Sequence, residues 1–224
     1  MYQAVLTGDV INSTGIGDHD KLIKSMKHVL NEVSEQGLIK KDQWAFFGGD
    51  SFQVVTGPGE GLKVALILRA AFRGGIYRYF SPLVLDEVLD SVFDVRISIG
   101  LGETGEIPGI LTEAFGEAFI LSGEMLKIIS KGDLRLLITT SDKALNEHLE
   151  ILCILADPYI RGWSEKSSQA VYRKLLLNET QEESAAFFGI SQPSMQHRLK
   201  IARLDEIEAL DRYYRNQAEK DQIE

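Results

Sequence analysis

The chain has 224 residues, 44% hydrophobic and 25% charged, an ordinary balance for a globular protein long enough for one large domain or two smaller ones. No apolar run approaches the ~20 residues of a membrane span, so no membrane partner is expected. The formal net charge of -9 excludes a surface that binds nucleic acid throughout, and a lone cysteine, Cys153, excludes an internal disulfide.

The opening residues carry no basic region followed by an apolar core, so no secretory signal is expected and a cytoplasmic location is. Cys153 sits in the apolar run 151–155, where it reads as a small buried residue. The four histidines lack the spacing of a zinc site. The charge is uneven along the chain. Residues 161–203 hold 7 Lys+Arg against 4 Asp+Glu, net +3, whereas residues 204–224 hold 3 against 7, net -4. A contact with DNA belongs in the short basic stretch.

In chain order, Ala4-Val5-Leu6 reads as a strand that stops at Thr7-Gly8-Asp9. Leu22, Ile23, Met26, Val29, Leu30 and Val33 recur at helical spacing, and Gly37 is the expected stop. The runs 44–47 and 52–55 flank Gly48-Gly49-Asp50, the sequence form of a β-hairpin. With that hairpin beside the first strand, Asp9 and Asp50 meet at one sheet edge, where a hard divalent cation finds oxygen ligands. The same residues also suit a plain tight turn and a capping aspartate.

Residues 61–72 predict a buried helix, 81–92 a short helix, 93–101 an alternating strand, 113–129 a helix and 134–139 a last strand. Beyond about residue 143 strand signals vanish. Helices are expected over 144–156, ended by Asp157-Pro158, and over 167–177. The spacing Gly100-x-Gly102-x-x-Gly105 mimics a dinucleotide fingerprint. No helix opens at these glycines, because Pro108 and Gly109 intervene, so that reading is set aside.

Residues 178–200 carry the signature of a helix-turn-helix. Thr180 and Glu183 have the spacing of a capping box, Gly189 supplies a positive φ, Ser191 caps the next helix and Pro193 sits in its first turn. Met195 and Leu199 point inward at i, i+4. Thr180, Gln181, Gln192, Ser194, Gln196, His197, Arg198 and Lys200 are left as the DNA-facing candidates, since Gln reads adenine and Arg reads guanine edges. A final amphipathic helix uses Leu204, Ile207, Leu210, Tyr213 and Tyr214.

Asp9-Val10-Ile11-Asn12-Ser13-Thr14 resembles the first metal-binding motif of class III nucleotidyl cyclases. Gly48-Gly49-Asp50-Ser51-Phe52 resembles their second, and is one letter from the diguanylate cyclase signature. The runs 96–105 and 115–119 resemble the following strand and helix start. The resemblance covers roughly residues 1–140. It implies a ferredoxin-like, palm-type βαββαβ core, a Mg²⁺ or Mn²⁺ ion on Asp9, the Val10 carbonyl and Asp50, and nucleotide phosphates on Ile11, Asn12, Ser13, Thr14 and Gly49. In active cyclases the helix also carries an Asn and an Arg that stabilise the transition state. Here those positions hold Ile120 and Glu124, and the base-reading position holds Phe46. A carboxylate repels developing negative charge, so catalysis is not expected.

The cyclase-like block joined to a C-terminal helix-turn-helix resembles the bacterial SatD-like family. The expected class is therefore α+β: a palm domain over 1–142, a helical linker over 143–166, and an all-helical DNA-binding domain over 167–224. A DNA-binding transcriptional regulator with a degenerate nucleotide- and metal-binding domain, acting as a homodimer, is the function the resemblance implies. The alternative is a nucleotidyl cyclase or other nucleotide-processing enzyme using Asp9 and Asp50.

Overall fold

β1 (Tyr2–Val10) lies at the centre of a mixed five-stranded sheet, with β2 (Ile39–Phe46), β3 (Phe52–Thr56), β4 (Val95–Glu103) and β5 (Leu136–Thr139) in the order β2-β3-β1-β4-β5. The computed structural model describes residues 1–11, 13, 19–75, 93–107 and 111–220. Neighbouring strands are antiparallel except β4 and β5, which are parallel. α1 (His19–Glu35) connects β1 to β2, and α2 (Gly61–Arg73) lies between β3 and β4. The expected helix over 81–92, with Pro108 and Gly109, falls outside the described residues.

Alternation decides the layers. Leu6, Val54, Ile97 and Ile99 face α1 and α2, meeting Met26, Leu30 and Leu66 in the main core. Val5 and Val55 face the other way and meet Ala118 and Phe119 of α3 (Glu117–Ile129) in a smaller cluster. α3 rests on the sheet at two glycines. A Cβ on Gly100 would lie 2.2 Å from the Ala118 carbonyl oxygen, and one on Gly102 2.6 Å from a Glu117 carboxylate oxygen. Close helix–sheet approach accounts for Gly100 and Gly102.

α3 starts later than the expected residue 113. A 3₁₀ turn covers Leu111–Glu113, and Gly116 then takes φ 147°, bridging to Thr104 before the helix can begin. Four further helices and a closing one follow: α4 (Lys143–Arg161), α5 (Glu165–Leu177), α6 (Gln181–Phe188), α7 (Gln192–Ile201) and α8 (Leu204–Lys220). The described residues thus form an α+β fold with eight α-helices, none long and apolar enough to cross a membrane.

α4 does not end at Asp157-Pro158 as its sequence suggests. Pro158 sits on the exposed side of the last turn, while Asp157 and Ile160 are buried beneath it. Tertiary contact holds that turn despite the missing N–H. The contact is a cluster of charges. Arg69 on α2, fully buried, donates to both oxygens of Asp94 at 3.0 and 2.7 Å and also to Asp157. Arg73 and Arg135 reach Asp94 at 3.2 and 3.0 Å, and Arg161 flanks Asp157 at 3.3 Å. Burial alone would raise the Asp94 carboxyl, but these guanidiniums outweigh it and hold it below the usual carboxylate range.

The C-terminal helices are docked on the sheet unit. Tyr172 on α5 donates to Glu32 at 2.6 Å, Gln169 to the Gly74 carbonyl at 2.9 Å, and the buried Tyr214 on α8 to the Pro58 carbonyl at 2.7 Å. Arg215 pairs with Glu60. One continuous apolar cluster runs from β1 through α4 to α8.

Candidate functional site

Two regions carry the sequence's chemical candidates: the end of β1 with the β2–β3 hairpin, and the α6–α7 pair. At the first, Gly8 lies opposite Phe52 in the β1–β3 register, and a Cβ there would lie 2.5 Å from the Phe52 ring and 2.8 Å from the Arg96 carbonyl. The next residue, Asp9, turns to the α3 side of the sheet, directly opposite Arg96 on β4. The Arg96 Nη1 donates to both Asp9 oxygens, at 3.0 and 3.1 Å.

Both side chains are only partly exposed, Asp9 at 24% and Arg96 at 18%. Burial raises the Asp9 pKa above its ordinary 3.8 and outweighs the pull of Arg96; repulsion from Asp50 adds to the rise. The Asp50 charge is therefore felt at Asp9. Asp50 itself sits in the hairpin turn, where Gly48 and Gly49 take φ of 65° and 91° and Phe47 N–H donates to the Ser51 carbonyl at 3.0 Å. Ile11 N–H donates to the Asp94 carbonyl at 2.9 Å. By strand alternation, the Val10 backbone groups then face the hairpin side.

A guanidinium already closes on Asp9, and the described residues contain no group of three His, Cys, Asp or Glu that could hold a metal ion. Of the other nucleotide candidates, Ile11 and Ser13 are half-buried and Gly49 is in the turn, while Asn12 and Thr14 lie outside the described residues. Ile120 and Glu124 lie on the exposed face of α3, Ile120 at 60% exposure.

Two features here escaped the sequence. Arg96 was legible only as a residue on the polar face of its strand, and register alone assigns its partner. A polar chain, buried at Thr7 and Ser122, also ties α3 to the sheet, with the half-buried Gln53 Nε2 donating to Thr7 Oγ1 at 3.2 Å and Thr7 sharing a 2.8 Å hydrogen bond with Ser122.

At the second region the local chemistry follows the residues closely. Thr180 accepts from Glu183 N–H while Glu183 accepts from Thr180 N–H at 2.8 Å, a complete capping box. Gly189 takes φ 62° and ψ 34°, and Ser191 accepts from Ser194 N–H. Ala185, Met195 and Leu199 are buried, and Ile190 packs against the main core. Gln192 on α7 donates to Gln181 on α6, joining the two N-termini.

Ser194, Gln196, His197 and Lys200 are exposed, as is Thr180, while Gln181, Gln192 and Arg198 are half-exposed. The Arg198 guanidinium lies 5.4 Å from the Phe188 ring centre, a cation–π contact with the end of α6. The α7 residues Ser194, His197 and Arg198 line a shallow groove with Ser164 and Lys166 from the start of α5. Lys166 was not among the sequence candidates, since its helix is separate in the chain. No family model and no curated protein matches this sequence.

Proposed function

We propose that this protein is a DNA-binding transcriptional regulator of the SatD-like type, with α7 as the recognition helix and a second copy supplying the other half-site contact. The single observation that carries this reading is the exposed polar face of α7, set on a fully capped α6–turn–α7 unit. Ser194, Gln196, His197 and Lys200 offer donors to base edges and phosphates, and Arg198 offers a fork suited to guanine. The local charge of residues 161–203, net +3, supports contact with a polyanion that the whole chain, at -9, repels.

The N-terminal unit is, in this proposal, a palm-type module with a ferredoxin-like core that has lost turnover. The strand order β2-β3-β1-β4 with a helix after β1 and another after β3 supports that assignment. Its nucleotide would rest near Ile11, Ser13 and Gly49. Mg²⁺ or Mn²⁺ enters only where Asp9 exchanges Arg96 for the ion, and no reaction step depends on it.

Genomic DNA selection followed by gel-shift titration tests the reading. An enriched sequence whose affinity falls in Arg198→Ala supports it, and selection that enriches nothing overturns it.

A further inference from the structure

Helix α4 carries an apolar stripe on the side turned away from the core. Ile151, Ile154, Leu155 and Tyr159 are 56%, 50%, 61% and 52% exposed, while Leu149, Cys153 and Ile160 on the opposite side are completely buried. The stripe runs into a groove of about 510 Å³ between α4 and α8, lined by His148, Ile151, Leu152, Leu210 and Tyr213. Four large apolar side chains in three turns of one helix are too concentrated for scattered surface exposure.

The charges flanking this stripe are asymmetric. Glu147 and Glu150, with Lys143 one turn before them, lie at its N-terminal half. At its C-terminal end Arg69, Arg73, Arg135 and Arg161 share Asp94 and Asp157, an excess of positive charge, while Arg203, from the α7–α8 turn, stands 5.9 Å from the Tyr159 ring centre and is paired at 3.1 Å with Glu206, which lines the same groove. A second copy laid parallel would set acid against acid. Laid antiparallel about a two-fold axis at Leu155, it sets the acidic half of each α4 against the basic end of the other. In that register Leu155 meets Leu155, and Tyr159 of each copy reaches the Ile151 end of the other, where the α4–α8 groove opens.

We infer that the α4 stripe and its groove form the homodimer interface of this protein, with the two α4 helices antiparallel. The inference rests on the dimer of the functional reading but not on DNA binding. A 19-residue helix is about 28 Å long, so the face is narrow, and the dimer is expected to dissociate on dilution.

Light scattering and sedimentation of the full chain across about 1–100 µM test it, together with Leu155→Glu and, as a control on the exposed face of α3, Ile128→Glu. The expected result is a concentration-dependent dimer whose dissociation constant rises at least about tenfold in Leu155→Glu and stays unchanged in Ile128→Glu. A short bis-maleimide should couple two copies of Leu155→Cys but not of Ile128→Cys. Cys153 stays silent in that assay, being buried with its thiol pushed up to about 12. The coupling result stands even where the glutamate variant fails to fold. A monomer at every concentration, a dimer indifferent to Leu155→Glu, or coupling through Ile128→Cys in place of Leu155→Cys would each overturn the interface. A dimer held through α4 that selects no DNA sequence keeps the interface and removes the regulator; sequence-specific DNA binding by a dimer joined elsewhere does the reverse.

Discussion

The sheet side and the α7 face handle charge in opposite ways. Around the sheet, Arg69, Arg73 and Arg135 converge on Asp94, and Arg96 closes on Asp9, so the charged groups are occupied by one another. On α7, Gln196, His197 and Lys200 are exposed and form no ion pair among the described residues. A guanidinium spent on a buried carboxylate supports folding and has little left for a ligand. An exposed donor contributes little to folding and keeps its hydrogen bonds for a partner. The difference teaches that the charge cluster on the sheet side is structural, while the groups on which the proposed function relies are weakly held at the surface.

The sharpest break of this comparison is Arg69→Met. Asp94 and Asp157 would be left buried with too little compensation, and stability should fall by about 3–5 kcal/mol in chemical denaturation. Acid should act through the same carboxylate. The folded pKa of Asp94 lies below its ordinary 3.8, so its contribution is full above that value and is lost as pH falls through the folded pKa. A denaturation midpoint that does not move in Arg69→Met would remove the structural half of the contrast.

Gly100→Ala should cost about 1–3 kcal/mol, because the new methyl meets the Ala118 carbonyl and α3 must lift from the sheet. The same denaturation series measures it, and a loss below about 0.5 kcal/mol would mean the helix yields freely. Arg198→Ala should weaken specific DNA binding by about 1–3 kcal/mol while leaving stability within about 0.5 kcal/mol. Equal losses on every DNA sequence, with a shallower salt dependence, would reassign Arg198 to a phosphate.

The smallest effect is the most local. Asp50→Asn should lower the Asp9 pKa, since Asp50 repulsion is one of the causes that raise it. Carboxyl-resolved NMR titration reads this directly. A folded pKa above the unfolded value means the Asp9 site is penalised while ionised, and that penalty is relieved as pH falls through the folded pKa. An Asp9 titration indifferent to Asp50→Asn would separate the two carboxylates and end any shared role for them.

Residue spacing determined what depends on neighbours a few positions away. Thr180 with Glu183, Gly189, Ser191 with Pro193, and the Gly48-Gly49 turn were all legible, because caps and turns close hydrogen bonds within three or four residues. The alternating faces of β4 were legible for the same reason: a strand's period is local. Tertiary structure alone decided the rest. Arg96 finds Asp9 across 87 positions and Arg69 finds Asp157 across 88, pairings that strand register and helix docking create and composition cannot encode. Pro158 stays helical because Asp157 and Ile160 are anchored in the core on either side of it. Gly100 owes its place to a helix some twenty residues further on, whose backbone leaves no room for a methyl group.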